Sequence, residues 1–260
     1  MARLRSKFGL ALGGGAARGI AHIGVLKVLQ SHELEPALVC GTSAGSIVGA
    51  LYAGGFHWET ILEVIRTLDW GDMVKPVFPR RGLVNSDRLE QRLDELLGPL
   101  EFSALDIPFC AVAVDLMTRR QVNLCSGPVS RAVRASCSIP GIFEPVEFDN
   151  QVLVDGGVLN DVPVDVAREM GARVVLGVDL NADMDQFQKP ETLFQVLMAS
   201  FAVMRRDVKP RTDEKQRTLI ASPNLSGHNY HDLKKVDQLL ALGEEACESV
   251  LPRLKKLLKR

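Results

Sequence analysis

A serine stands between two glycines in the stretch Gly41-Thr42-Ser43-Ala44-Gly45, which joins one short apolar run to another. This order predicts a strand, a sharp turn and a helix, with Ser43 on the turn. Glycines two positions to either side remove the Cβ atoms that would collide with the strand and the helix. The Ser43 hydroxyl is therefore predicted to stand clear at a helix N-terminus, in the position of a nucleophile.

A second glycine-rich turn lies near the start of the chain, in Gly13-Gly14-Gly15-Ala16-Ala17-Arg18-Gly19. It follows the apolar run 8–12 and precedes the apolar run 20–29, so it also predicts a strand-to-helix turn. A nucleophilic serine needs N–H donors aimed at the oxyanion that forms when it attacks an acyl carbon. Backbone N–H groups at a helix N-terminus favour negative charge. We therefore expect Gly14, Gly15 and Ala16 to form an oxyanion hole.

An acidic residue ends a third short apolar run, Val152-Leu153-Val154-Asp155-Gly156-Gly157. The two glycines allow close backbone approach, which would bring the Asp155 carboxylate within reach of Ser43 as a general base. The competing interpretation is a plain surface turn, since Asp-Gly is a common turn dipeptide.

Taken together, these motifs resemble the bacterial patatin-like phospholipases, a family that uses a Ser-Asp dyad. The resemblance runs from about residue 8 to residue 179 and includes four blocks in family order: the glycine-rich block with Arg18-Gly19, the turn around Ser43, Ala135-Ser136-Cys137-Ser138-Ile139-Pro140, and Asp155-Gly156-Gly157. The supporting residues of these motifs are Gly13, Arg18, Gly19, Gly41, Gly45, Gly156 and Gly157. One departure is that the last glycine usual in the glycine-rich block falls on Ala16.

The resemblance implies a serine acyl hydrolase that cleaves a phospholipid or lysophospholipid ester through an acyl-enzyme intermediate. Ser43 would be the nucleophile and Asp155 the general base, and neither a metal nor a cofactor is needed. Serines 136 and 138 lack the flanking glycines, so we interpret them as structural. His22, on the helix after the glycine-rich turn, either orients that turn or is an ordinary hydrogen-bonded helix histidine.

Three alternatives stay open. A Ser-Asp-His esterase or thioesterase would use His228 or His231, which follow Ser43 and Asp155 in the chain order of α/β-hydrolases but lie in a polar, turn-like stretch. Dinucleotide binding is disfavoured, because the Rossmann spacing from Gly13 puts Arg18 where a glycine is needed. A regulatory or scaffold protein could keep the same fold without turnover, although the intact motifs argue against lost chemistry.

Strand and helix signals alternate along the chain, which predicts an α/β fold. With the resemblance, this is a three-layer α/β/α, patatin-like arrangement with a mostly parallel central sheet. Chemistry collects at the carboxyl ends of parallel strands, and Gly13, Ser43 and Asp155 each follow a predicted strand. We expect a single acyl hydrolase domain over 1–260, with a core at about 8–180 and a C-terminal helical segment at about 190–260. Apolar residues at helical spacing between 194 and 204 suit a fatty-acyl groove, a subunit contact or ordinary core packing.

Composition indicates which partners the chain could bind and in which cellular compartment it could lie. A net charge of -1 and 5% aromatic residues give no reason to expect a nucleic-acid partner. The five cysteines show no Cys-x-x-Cys spacing, which predicts neither a disulfide framework nor a zinc site and favours the cytoplasm. Basic residues before the apolar run 8–12 mimic a secretion signal, but that run ends in glycines, so we expect no export. The basic, leucine-rich tail after Pro252 suits peripheral contact with the inner membrane surface, although a solvated helix end explains the same residues.

Overall fold

The computed structural model describes residues 8–67, 75–76, 81–182, 189–204, 210–228 and 235–259. Its strands are β1 (Phe8–Leu12), β2 (Leu38–Thr42), β3 (Lys75–Pro76), β4 (Val84–Asn85), β5 (Phe109–Asp115), β6 (Arg120–Leu124), β7 (Val146–Phe148), β8 (Gln151–Asp155), β9 (Val174–Val178) and β10 (Thr218–Ala221). Its α-helices are α1 (Ile20–Ser31), α2 (Ala44–Ala53), α3 (Trp58–Thr67), α4 (Asp87–Leu97), α5 (Val129–Ser136), α6 (Val164–Glu169), α7 (Leu193–Met204) and α8 (Val236–Leu258). Short 3-10 helices cover Ala16–Gly19, Phe102–Ala104 and Gly156–Val158.

The central sheet has the strand order β10-β9-β1-β2-β5-β8-β7, with β6 also paired to β5. The five strands from β10 to β5 run parallel to one another. The pairings of β5 with β6, of β5 with β8 and of β7 with β8 are antiparallel. The predicted α/β class is therefore confirmed, and the sheet is parallel on one side and antiparallel on the other.

Burial of both sheet faces explains why the parallel strands read as continuous apolar runs. All five residues of β1, β2 and β9 are buried. Successive side chains of a strand point to opposite faces, and β1 follows this rule. Phe8, Leu10 and Leu12 pack in the large core with α1, α2 and α8, whereas Ala11 packs with α6 on the other face. Helices thus cover both faces, which gives the predicted three layers.

The C-terminal segment is not purely helical, as the sequence suggested, because β10 extends the sheet beside β9. Four residues among polar neighbours carry too little periodicity to predict this strand. The longest helix, α8, packs along α1, and Leu254 and Leu257 of its basic end are buried at 0% and 8% exposure. The apolar half of the proposed membrane-binding tail is therefore used inside the protein. Among the described residues, no helix is both long and apolar enough to cross a bilayer.

Cys110 and Cys125 form a disulfide across the β5–β6 pair, so the prediction of no disulfide is wrong for this pair. The β5–β6 register pairs Ala111 with Leu124, which puts the two cysteines opposite each other one step further along the strands. Spacing motifs miss such cross-strand pairs, since the contact depends on the register. Disulfides persist in oxidising compartments, so the cysteines no longer support a cytoplasmic location. Cys40, Cys137 and Cys247 are free thiols.

Candidate active site

Strand register brings Ser43 and Asp155 to the same level of the sheet. In the β2–β5 pair Thr42 lies opposite Val112, and in the β5–β8 pair Asp155 lies opposite Ala113. β6 pairs with residues 111–115 along one edge of β5, so β2 and β8 share the other edge and end next to each other there. Ser43 follows Thr42, and Ser43 and Asp155 therefore lie at adjoining strand ends on that edge. The sequence placed Asp155 at the carboxyl end of a parallel strand. That placement was wrong, because β8 runs antiparallel to β5 and ends partway along it.

Ser43 occupies the strained turn that the sequence predicted between strand and helix. It is the residue before α2, with φ of 52° and ψ of -125°, in a region that residues other than glycine rarely adopt. A Cβ on Gly41 would overlap the carbonyl oxygen of Gly45, and one on Gly45 would overlap that of Leu12. Glycine at both positions therefore lets the turn pack directly against β1 and against its own helix.

Ser136 and Ser46 hold this turn by hydrogen bonds to the Ser43 backbone. The Ser43 N–H donates to Ser136 Oγ over 2.9 Å, and Ser136 Oγ donates in turn to the Val112 carbonyl over 2.6 Å. Ser46 Oγ donates to the Ser43 carbonyl over 2.6 Å. Both supporting serines are fully buried. The hydroxyl of Ser136 thus links the Ser43 turn to β5 and fixes the backbone of that turn.

Replacing Ser136 with alanine should lower kcat for ester hydrolysis about 10- to 100-fold while changing KM less than threefold, because a shifted nucleophile reduces turnover more than binding. Unfolding should become easier by about 1–3 kcal/mol, since the variant leaves the Ser43 N–H and the Val112 carbonyl unpaired. Steady-state kinetics and denaturant unfolding measure the two effects.

Ser138→Ala is the matched control, because Ser138 is equally buried and its hydroxyl donates to the Arg134 carbonyl rather than to Ser43. We expect its kcat to change less than about twofold. Equal kcat losses in the two variants would mean that Ser136 only supports packing.

The glycine-rich turn is held at Gly13 and Gly14. The Gly13 N–H donates to the Val178 carbonyl over 3.1 Å, and its carbonyl accepts from His22 Nε2 over 2.8 Å. The Gly14 N–H donates to the Asp161 carbonyl over 3.0 Å. Asn181 Nδ2 donates to the Gly14 carbonyl and to Asp161 Oδ2, over 3.0 and 2.8 Å. Four backbone groups of two adjacent residues are therefore bonded before any substrate arrives.

These hydrogen bonds reduce the set of backbone N–H groups that can bind an oxyanion. The N–H of Gly14 is already used by Asp161, so it is a poorer candidate than the sequence suggested. Within the described residues, the N–H groups of Gly15 and Ala16 have no protein acceptor. Both residues line the same cleft as Ser43. Ala16 has φ of 49°, in the left-handed region that favours glycine.

Ala16→Gly should stabilise the protein by about 0.5–1 kcal/mol, because it removes the strain of a side chain at positive φ, partly offset by the greater freedom of glycine in the unfolded chain. Oxyanion donation uses the backbone, so ester hydrolysis should stay within about threefold. Ala17→Gly is the control. Ala17 lies in the 3-10 helix without positive φ, and its replacement should destabilise by about 1 kcal/mol. Urea unfolding of both variants decides, and a loss of stability in Ala16→Gly would contradict the strain argument.

The buried His22 beside this turn makes the free energy of unfolding depend on pH in the acid range. Burial lowers the pKa of His22 from about 6.5 to about 4, against the smaller raising effect of its bond to Gly13. The unfolded chain therefore takes up a proton below pH 6.5 that the folded protein refuses until about pH 4. Stability should fall by about 3 kcal/mol as the pH drops through this window. His22→Gln keeps an amide donor for the Gly13 carbonyl and should flatten the curve. Urea unfolding from pH 7.5 to 4 measures this, and parallel curves would contradict it.

Ser43 and Asp155 line one cleft. They are 9% and 5% exposed, so the cleft holds them largely away from water. The other lining residues are backbone groups of the glycine-rich turn, a second acid and apolar side chains, namely Gly14, Gly15, Ala16, Ile139, Gly157, Val158, Asp161, Met198 and Phe201. Asp155 Oδ1 accepts the Gly157 N–H over 2.7 Å, and the Asp155 N–H donates to the Ser138 carbonyl over 2.9 Å. The carboxylate is thus fixed at the end of β8.

Among the supporting motif residues, Gly157 lines this cleft, whereas the others do not, namely Gly13, Arg18, Gly19, Gly41, Gly45 and Gly156. A Cβ on Gly156 would overlap the Val112 carbonyl, and one on Gly19 would lie 2.8 Å from the Ala44 Cβ. Arg18 Nε donates to the His228 carbonyl over 2.9 Å, but His228 is not among the residues that line the cleft. His231 lies outside the described residues. Within the part of the chain that the structure describes, no three His, Cys, Asp or Glu side chains cluster closely enough to hold a metal ion.

Sequence reasoning interpreted Ser136 as structural, which agrees with its hydrogen bonds, but missed the roles of Cys137, Asp161 and Asn181. Burial and the nearby Asp155 carboxylate raise the pKa of the Cys137 thiol, and hydrogen bonds with Ser46 and Ser43 oppose this rise only in part. The thiol therefore stays protonated at neutral pH and does not compete with Ser43 as a nucleophile. Asn181 is 2% exposed. A polar residue just after an apolar strand was the available signal for it, since β9 neighbours β1 in the sheet.

Comparison with known proteins identifies the family of this chain. Residues 10–168 match the family model for patatin-like phospholipases, which is more than half of the chain. The chain belongs to the patatin-like phospholipase family. The resemblance drawn from the four sequence blocks is thereby confirmed.

Several relatives of this patatin-like chain are larger proteins. An uncharacterized NTE family protein of Mycobacterium tuberculosis is 34% identical over 180 residues, covering 66% of this chain and 48% of the relative. Human patatin-like phospholipase domain-containing protein 6 is 32% identical over 183 residues, covering 66% of this chain and 13% of the relative. The chain thus spans about half the length, or less, of the curated relatives it matches.

Two solved structures share the fold. VipD from Legionella pneumophila has a TM-score of 0.59 at 13% identity, covering 95% of this chain and 67% of VipD. ExoU from Pseudomonas aeruginosa, in complex with SpcU, has a TM-score of 0.56 at 15% identity, covering 98% of this chain and 53% of ExoU. The shared fold extends over nearly the whole chain, including the C-terminal segment beyond the family match.

Proposed function

We propose that this patatin-like chain is a serine acyl hydrolase that cleaves carboxylic esters of lipids, with Ser43 as the nucleophile and Asp155 as the general base. Family membership supports a lipid ester as the substrate class, since the matched family and its human relative are both described as phospholipases. The relatives are longer than this chain, so the proposal concerns the chemistry of its own cleft.

One observation carries the proposal: a single cleft is lined by Ser43, by Asp155 and by Gly15 and Ala16, whose backbone N–H groups have no acceptor among the described residues. These are the three components that acyl transfer needs, a nucleophile, a base and donors for the oxyanion. They come from three separate strand ends, β1, β2 and β8, which chance similarity in any one motif would not bring together.

The first half of the reaction forms the acyl-enzyme. Asp155 accepts the Ser43 proton as Oγ bonds to the ester carbon, and the carbonyl oxygen becomes an oxyanion held by the Gly15 and Ala16 N–H groups. The tetrahedral intermediate then collapses. Its bond to the alcohol oxygen breaks, and protonated Asp155 gives the proton to the departing alcohol.

The second half releases the acid. Water enters the cleft, Asp155 takes one of its protons, and the resulting hydroxide attacks the acyl-enzyme carbon. Collapse of the second tetrahedral intermediate breaks the bond to Ser43 Oγ, which regains a proton from Asp155. The products are a carboxylic acid, an alcohol and unchanged enzyme.

Apolar side chains next to the dyad favour a long acyl chain over a short one. Ile139, Met198 and Phe201 line the cleft together with Ser43, and unbranched methionine adapts to a flexible chain. Each buried methylene contributes about 0.8 kcal/mol. This supports the fatty-acyl groove among the alternatives that the sequence left open for residues 194–204.

A substrate panel tests the proposal. Purified protein would be assayed against soluble esters of increasing acyl length, a phospholipid, a lysophospholipid and a thioester, with Ser43→Ala as the background. We expect hydrolysis that rises with acyl length until the groove is filled. Hydrolysis no faster than the Ser43→Ala background on every substrate would refute the proposal and favour the regulatory or scaffold alternative.

A further inference from the structure

Helix α7 has two different apolar faces. Its twelve residues contain no charged side chain. Met198 and Phe201 point into the cleft that holds Ser43, and Ala202 is buried at 7% exposure. This inner face explains only part of the apolar character of the helix.

The outer face of α7 is exposed. Leu193, Val196, Val203 and Met204 have 59%, 47%, 70% and 62% of their surface open. Positions 193, 196 and 203 follow helical spacing and form one stripe. These four are half of the eight large hydrophobic side chains that are exposed in the described residues. Such a concentration marks an interaction surface rather than scattered surface residues.

More exposed apolar side chains lie on the same side of the sheet. Leu159, 44% exposed, directly follows Val158, which lines the Ser43 cleft. Leu116 and Met117, 47% and 72% exposed, follow the carboxyl end of β5, the neighbour of β2. Leu116 and Met117 therefore lie toward the same end of the parallel strands as Ser43, and Leu159 lies next to a residue of the cleft.

The charged residues that flank α7 in the sequence indicate an anionic partner. Between residues 189 and 211 the sequence has five basic residues, Lys189, Arg205, Arg206, Lys209 and Arg211, against two acids, Glu191 and Asp207. Of these, Lys189 and Arg211 are described and exposed. A basic stretch of sequence of this kind is attracted to anionic lipid headgroups. A second copy of the chain fits less well, because a two-fold contact would bring the same positive charges together.

We propose that the outer face of α7 docks on an anionic lipid surface, with the helix lying in the interfacial plane. An uncharged helix with an exposed apolar stripe and cations beyond its ends is suited to that position. Docking would set the inner face of α7, and hence the Ser43 cleft, beside the acyl chains of the bilayer. This consequence for catalysis rests on the proposed hydrolase function, whereas the docking itself does not.

The test uses the full chain carrying Ser43→Ala, so that vesicle binding is measured without hydrolysis. A failure of the proposed function then leaves the result unaffected. Co-sedimentation with phosphatidylcholine vesicles, with and without phosphatidylglycerol, gives the partition coefficient. We expect binding that requires phosphatidylglycerol and weakens with added salt. Val203→Glu with Met204→Glu should lower the partition coefficient at least about tenfold, since it removes apolar contact and adds repulsion.

A matched control adds the same two charges elsewhere. Ala241 and Ser249 are exposed on α8, and Ala241→Glu with Ser249→Glu should change binding less than about threefold. Circular dichroism checks the fold, and Val203→Gln alone, with an expected loss of about threefold, replaces the double variant if that variant does not fold. Absence of vesicle binding, or equal losses in the two double variants, would overturn the proposal. So would an oligomer in light scattering that the α7 variant dissociates, because a second copy would then cover this face.

Discussion

Replacing Ser43 with alanine is expected to lower kcat/KM for ester hydrolysis at least about 10⁴-fold, because no other group can form the acyl-enzyme in its place. The remaining rate would come from the oxyanion donors and from binding alone. Only one oxygen is lost from a side chain that is 9% exposed, so the free energy of unfolding should change by less than about 1 kcal/mol. Steady-state kinetics on a soluble ester and urea unfolding measure these two effects.

The neighbouring thiol makes this result informative. Cys137 is a free thiol close to Ser43 and would be the natural substitute nucleophile, but its raised pKa keeps it protonated. Ser43→Ala activity within about tenfold of wild type would therefore place the nucleophile elsewhere. If Ser43→Ala unfolded, its loss of activity would not identify the nucleophile. Stability is therefore measured in parallel.

Replacing Asp155 with asparagine is expected to lower kcat about 10³- to 10⁴-fold, because the amide keeps the shape of the side chain but cannot accept the Ser43 proton. The oxygen that accepts the Gly157 N–H can be retained, so the fold should persist. The pre-steady-state burst of alcohol release should slow together with turnover, since the same base serves both halves of the reaction.

Asp161→Asn is the matched control for this variant, because Asp161 is the other acid that lines the cleft. Its carboxylate accepts a hydrogen bond from Asn181, and we expect its replacement to lower kcat less than about tenfold. A larger loss in Asp161→Asn than in Asp155→Asn would exchange the roles of the two acids.

The rival triad is tested by removing its histidines. His228→Ala combined with His231→Ala should leave kcat within about threefold of wild type if the dyad is the catalytic unit. The backbone carbonyl of His228, which accepts from Arg18, is unaffected by the change of side chain. A loss of 10³-fold or more would support a Ser-Asp-His mechanism.

Local features of the site could be predicted because they are encoded in neighbouring residues. Each glycine-rich turn lies between an apolar run that forms a parallel strand and one that forms a helix, as β1 with α1 and β2 with α2. The collision argument for Gly41 also needs only the local turn, since a Cβ there would overlap the carbonyl oxygen of Gly45. Signals of this kind depend on sequence order alone.

Features that depend on strand register could not be predicted. The antiparallel direction of β8, which sets Asp155 opposite Ala113, depends on a pairing over more than 40 positions. The same holds for the disulfide between Cys110 and Cys125 and for the bond from Asn181 to the Gly14 carbonyl, which joins residues 167 positions apart. Strand β10 was missed because four residues are too few for a periodic signal.

Labelling with a fluorophosphonate, followed by peptide mass spectrometry, tests the Ser43-Asp155 account most directly. The reagent reacts with an activated serine and reports its position without any assumption about the substrate. The account predicts one adduct, on the peptide that contains Ser43, which is absent from Ser43→Ala and forms at least about 100-fold more slowly in Asp155→Asn. An adduct on another residue, or labelling that persists in Ser43→Ala, would contradict it.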